Sequence, residues 1–135
     1  MENNKLTPKV LKSIANVRYK ESQILFDKNQ YDGATYLCGY SIEAALKRKI
    51  CMTLGWDEYP TKGSAYKQTF FTHDLDVLLH LSGIEKIIKN NFNPEWSLIL
   101  KRWNPELRYS EIGTAIKNET LELLKAIKNI LKEIL

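Results

Sequence analysis

Between Gly33 and Leu46, fourteen consecutive residues, GATYLCGYSIEAAL, carry a single charge, that of Glu43. Asp32 can cap a helix that begins at Gly33 and runs to about Leu54, and Gly55 is the residue type that ends helices in the left-handed conformation. This helix is apolar or small nearly all round, so it belongs in the middle of its bundle. At 100° per residue, Tyr36, Tyr40, Glu43 and Lys47 form one narrow stripe flanked by Gly39, Leu46 and Ile50, with Ala34, Cys38, Ser41 and Ala45 opposite. Glu43 is therefore expected to meet protein rather than water. An unpaired carboxylate there would cost on the order of several kcal/mol or become protonated, so a cation or several donors should face it. The candidates are Lys47 one turn on, His73 and Arg108.

The remaining segments predict more helices. Thr7 and Pro8 open a long first helix whose apolar positions are Leu11, Ile14, Ala15, Tyr19, Ile24 and Leu25, ending in a tight break over Asn29 to Gly33. From Gly55 to Thr72 no clean period appears, and the stretch reads as a loop. Thr72 can cap a short helix through Leu81, with Asp74 near its positive end. Ser82-Gly-Ile-Glu85 fits a capping box for another over Ile84 to Asn91. Asn93-Pro94-Glu95 and Asn104-Pro105-Glu106 are two similar starts, the first placing Trp96, Ile99, Leu100 and Trp103 on one face. A last helix, about Glu111 to Leu135, puts Ile116, Thr120, Leu123, Leu124, Ile127, Leu131 and Ile134 on its core side and most of its lysines away. The fold class is all-α: an up-and-down bundle of four to five main helices, with short helices inserted before the last.

At 135 residues, 44% hydrophobic and 27% charged, the chain has the composition of one globular domain, residues 1–135. MENNKLTPK lacks an apolar core for secretion, and no run suggests a membrane span, which points to the cytoplasm. Cys38 and Cys51 point in different directions around the second helix, which excludes a mutual disulfide and makes them buried thiols. The net charge of +4 and a pI near 9.0 favour polyanion contact without requiring it.

Several residues could carry chemistry. His73 beside Asp74 is a general base, a ligand or, in the simplest reading, a helix-capping group, and His80 reads as packing. Neither histidine has a second ligand at metal spacing, so no metal and no cofactor are expected, and no phosphate-cradling glycine loop or nucleophile elbow is present. Lys47, Arg48, Lys49, Lys101, Arg102 and Arg108 could form a basic rim beside Tyr109, Trp103 and Trp56, suited to phosphate contact and base stacking. Solvated helix edges explain the same residues.

DGATYLCGYSIEAALKRKI, then THDLDVLL, then Arg108-Tyr109 ahead of a last long helix resemble the HEPN family of helical domains. The likeness spans Leu11 to Leu135 and rests most on Gly39 to Lys47 and Thr72 to Leu75. It implies a four- or five-helix bundle that tends to form homodimers and is often encoded beside a minimal nucleotidyltransferase in toxin-antitoxin or phage-defence pairs. Catalytic members of the family are metal-independent RNases that use an arginine followed, after four to six residues, by a histidine. Arg108 matches the arginine, but Gly113, Thr114 and Ala115 fill the histidine slots. Where one subgroup carries an AMP-accepting tyrosine, this chain has Ala115.

These observations lead to the expectation of a homodimeric, RNA-associated or partner-binding domain that works with a nucleotidyltransferase and lacks the usual RNase catalysis. One alternative is a metal-independent endoribonuclease in which Arg108, His73 and Glu43 act on RNA, with Lys47, Arg48, Lys101, Arg102 and Tyr109 as nucleic-acid contacts. The other is a structural protein adaptor.

Overall fold

In the computed structural model, which describes residues 5–61, 69–70 and 72–135, every regular element is helical. The order is α1 (Pro8–Asp27), α2 (Tyr31–Leu54), α3 (Leu75–Ser82), α4 (Glu85–Asn91), α5 (Asn93–Arg102), a 3-10 helix (Pro105–Tyr109) and α6 (Lys117–Ile134). Three long helices thus hold the frame, with three short α-helices and a 3-10 helix inserted before the last. No helix among the described residues is long and apolar enough to cross a membrane.

As the lack of a polar face requires, α2 is central: it packs against α1, α3 and α6 and buries an unbroken run from Ser41 to Leu46. Its C-terminus is closed by Gly55 in the left-handed region, φ 69°. The hairpin with α1 turns through Asn29, also left-handed at φ 62°. At the other end of that hairpin, the Tyr59 amide donates to the Leu6 carbonyl at 2.8 Å, and the Tyr59 ring is buried with its hydroxyl on the Phe70 carbonyl. The rest of the expected 55–72 loop lies partly outside the described residues. Trp103, at the end of α5, donates its indole N–H to the Tyr36 carbonyl at 2.9 Å and covers Gly39. Cys38 and Cys51 are buried free thiols; burial raises both, Cys51 to about 11.

Several local expectations are corrected. In α1 the buried polar position is Ser22, satisfied by the Arg18 carbonyl at 2.9 Å, whereas Ile24 is exposed. Leu100 is also exposed, on the rim of the face that buries Trp96, Ile99 and Trp103. The start of α3 is capped by Asp74, which accepts from the amides of Asp76 and Val77, while Thr72 accepts from the Asp74 amide. No capping box forms at Ser82: its hydroxyl donates to the Leu79 carbonyl, and Glu85 instead pairs with Lys89 and with His80. His80 is therefore a surface residue and not a packed one. The last helix starts at Lys117, six residues later than expected, because Gly113 at φ 88° breaks the chain there and leaves Ile116 exposed.

Candidate functional site

The stripe read on α2 becomes a continuous row of polar and aromatic groups. Glu43, with only 8% of its side chain exposed, accepts from the Lys47 ammonium at 2.9 Å. His73 Nδ1 stands 2.9 and 3.0 Å from its two carboxylate oxygens. The carboxylate accepts, which places the ring proton on Nδ1 and leaves Nε2 outside that bond. His73 is thus drawn away from the capping role and onto α2, and its side chain remains 56% exposed. Lys47 also lies over the Tyr59 ring, 5.2 Å from its centroid. Glu43 therefore has the cation and the second donor that its burial demands.

Toward the start of α2 the row continues through two phenols. Tyr40 meets His73 edge-on at 6.3 Å between centroids and Trp103 at 5.2 Å, and its hydroxyl is 3.2 Å from that of Tyr36. Burial pushes Tyr40 up to about 12, whereas the bond to Tyr40, and then Arg108, draw Tyr36 below the usual phenol range. Arg108, from the 3-10 helix, stacks on Tyr109 at 4.8 Å and shares the lining of one cleft with Tyr36. The neighbouring phenols, Tyr109 first and then Tyr36, raise it further above its ordinary range. Glu43, Lys47 and His73 are therefore brought together, whereas Arg108 stands at the far end of the row beyond Tyr40 and Tyr36.

The expected basic rim is dispersed by internal bonds. Lys47 is spent on Glu43; Arg48 reaches the Ile134 carbonyl at the end of α6; Arg102 binds Glu122 at 2.7 Å and the Glu119 carbonyl at 3.0 Å. Lys101, Arg108 and Tyr109 remain exposed. No group of three or more His, Cys, Asp or Glu side chains among the described residues is arranged to hold a metal ion.

Two features of this end carried no clear sequence signal. Asp32 does not cap α2, whose first residue is Tyr31; it lies in the first turn and accepts from the amides of Gly113 at 2.6 Å and Ala115 at 2.9 Å. These bonds lower the Asp32 carboxyl below its ordinary range. Between α2, the 3-10 helix and the pinned 110–116 segment lies a cleft of about 480 Å³, with Tyr36 and Arg108 on its border. Comparison with family models, curated proteins and solved structures gives no match to the chain.

Proposed function

We propose that the chain is a HEPN-like domain that works as a homodimer beside a nucleotidyltransferase in a toxin-antitoxin or phage-defence pair, contacting RNA or its protein partner without the family's usual catalysis. The observation that carries this reading is the Glu43 to His73 bond, which joins the two stretches on which the resemblance rests, Gly39 to Lys47 and Thr72 to Leu75. Of the residues expected to contact RNA, Lys101, Arg108 and Tyr109 are exposed and basic or aromatic. Phosphate contacts release counterions, so RNA held there should dissociate steeply as salt rises. Sedimentation of the pure chain and salt-dependent binding of labelled RNA test the reading together. A dimer whose RNA affinity falls with salt and with Lys101→Glu is expected; a monomer indifferent to RNA and to a co-expressed nucleotidyltransferase would overturn it.

The dyad itself favours one second reading, a metal-independent endoribonuclease. His73 Nε2 would take the proton of an RNA 2′-hydroxyl, whose oxygen attacks the adjacent phosphorus and displaces the 5′-oxygen, which takes a proton from water and leaves as the alcohol with a 2′,3′-cyclic phosphate behind it, while Glu43 stabilises the imidazolium. Within one chain Tyr40 and Tyr36 stand between His73 and Arg108 on the row, so this reading takes the arginine from a second copy. RNA cleavage in EDTA that is lost in both His73→Ala and Arg108→Ala supports it; intact RNA with clean protein removes it.

A further inference from the structure

Arg108 is the one arginine of four without a carboxylate or carbonyl partner among the described residues; Arg18 pairs with Glu21, and Arg48 and Arg102 are bonded as described. It is oriented all the same, by the ring of Tyr109, 4.8 Å from its guanidinium carbon, with Tyr36 lining the same cleft. Aromatic groups hold a guanidinium in place without neutralising it, so its N–H donors stay available to an anion.

Beside it, the walls of the cleft are apolar: Leu107, Ile112, Ile116 and Leu123 line it. Ile112 is 97% exposed, an isoleucine wetted almost completely by water. Its loop is nonetheless fixed, since Asp32 holds the amides on either side of Thr114. A pre-formed apolar wall reduces the ordering cost of binding, and clefts of roughly 300–1,000 Å³ with apolar walls and few polar groups are the usual form of small-molecule sites.

The rim decides the ligand's charge. Asp32, Glu111 and Glu119 also border the cleft, and its other arginine, Arg102, is paired with Glu122, so an extended polyanion would meet three acids there. A single anionic group placed at Arg108 avoids them.

We propose that this cleft binds a small molecule carrying one anionic group, a carboxylate or a phosphate monoester, on an apolar body the size of one or two rings. The anion bonds Arg108 next to the Tyr36 hydroxyl, and the body covers Ile112 and Ile116. This site is separate from the Glu43 and His73 dyad and does not depend on any reading of RNA chemistry.

Calorimetric titration of the full chain with naphthyl phosphate, naphthoate and naphthol tests the proposal. Both anions are expected to bind once per chain, and neutral naphthol about tenfold more weakly; the tighter anion identifies the headgroup. Arg108→Ala should bring the anions down to the level of naphthol. Ile112→Ser should weaken all three about tenfold, by removing apolar surface that the body covers. Both side chains are exposed, so both variants fold. Absence of binding, equal affinity for anions and naphthol, or anion binding unchanged in Arg108→Ala would overturn the proposal.

Discussion

The indole of Trp103 lies so close to Gly39 that a β-carbon built there would overlap the ring. The contact brings the end of α5 onto the middle of α2, and the indole N–H donates to the Tyr36 carbonyl one turn earlier.

Gly39→Ala should therefore destabilise the protein although alanine is the better helix former. Overpacking of this kind costs about 1–3 kcal/mol, more than the gain of about 1 kcal/mol in propensity. Chemical denaturation measures the balance, and a variant as stable as the parent would show that the ring is not seated there.

Glu43→Ala should cost about 3 kcal/mol, because it leaves the Lys47 ammonium poorly solvated and unpaired. His73→Ala should cost much less, since that side chain is 56% exposed. A double-mutant cycle between Glu43 and Lys47 should give a coupling of about 1–3 kcal/mol. Simple additivity of the two substitutions would contradict the pairing.

Acidification should release the 110–116 segment before the bundle unfolds. The folded Asp32 carboxyl lies below its ordinary value of 3.8, so its contribution is full above that value and is lost as pH falls through the folded one. Exchange of the Gly113 and Ala115 amides should quicken over that window, and at neutral pH in Asp32→Ala. Equal exchange in parent and variant would deny the tether.

At the alkaline end the sign reverses. Burial first, and then neighbouring groups, raise the phenols of Tyr19, Tyr40 and Tyr59, with Tyr40 near 12. A phenol raised in the folded state contributes stability that is full below about pH 10 and lost as pH rises through the folded value. The melting temperature should fall between pH 10 and 12, and phenolate absorbance should appear first from Tyr36, an order that Tyr36→Phe would remove. A single titration step near 10 for all tyrosines of the folded chain would contradict this.

The central helix was legible because a run without a polar face leaves one place in a bundle, and that burial forced a partner on Glu43. Lys47 and His73 followed from it; Arg108 did not, since two tyrosines of the same stripe stand between. Ile24 was misplaced by a loose reading of period: counted from Leu11 at 100° per residue, Ser22 returns to the buried side and Ile24 does not. Leu100 failed for a related reason, sitting at the edge of an apolar arc. The link from Asp32 to Gly113 and Ala115 was hidden because its donors are backbone amides, which sequence does not distinguish, in an irregular segment 81 and 83 residues away. The cleft was hidden with it, being built from that segment and not from a periodic face. Which basic residues are bonded internally was hidden as well, because an arginine on a carbonyl or a neighbouring carboxylate has the same letter as one facing solvent.

The bond from the Tyr59 amide to the Leu6 carbonyl fastens the mouth of the first hairpin, whose other end is fixed by the turn at Asn29. Two helices cross-linked at both extremities cannot fray independently, so α1 and α2 should open as one cooperative unit. In native-state exchange, the Tyr59 amide would then report the slow separation of that pair, although it belongs to neither helix.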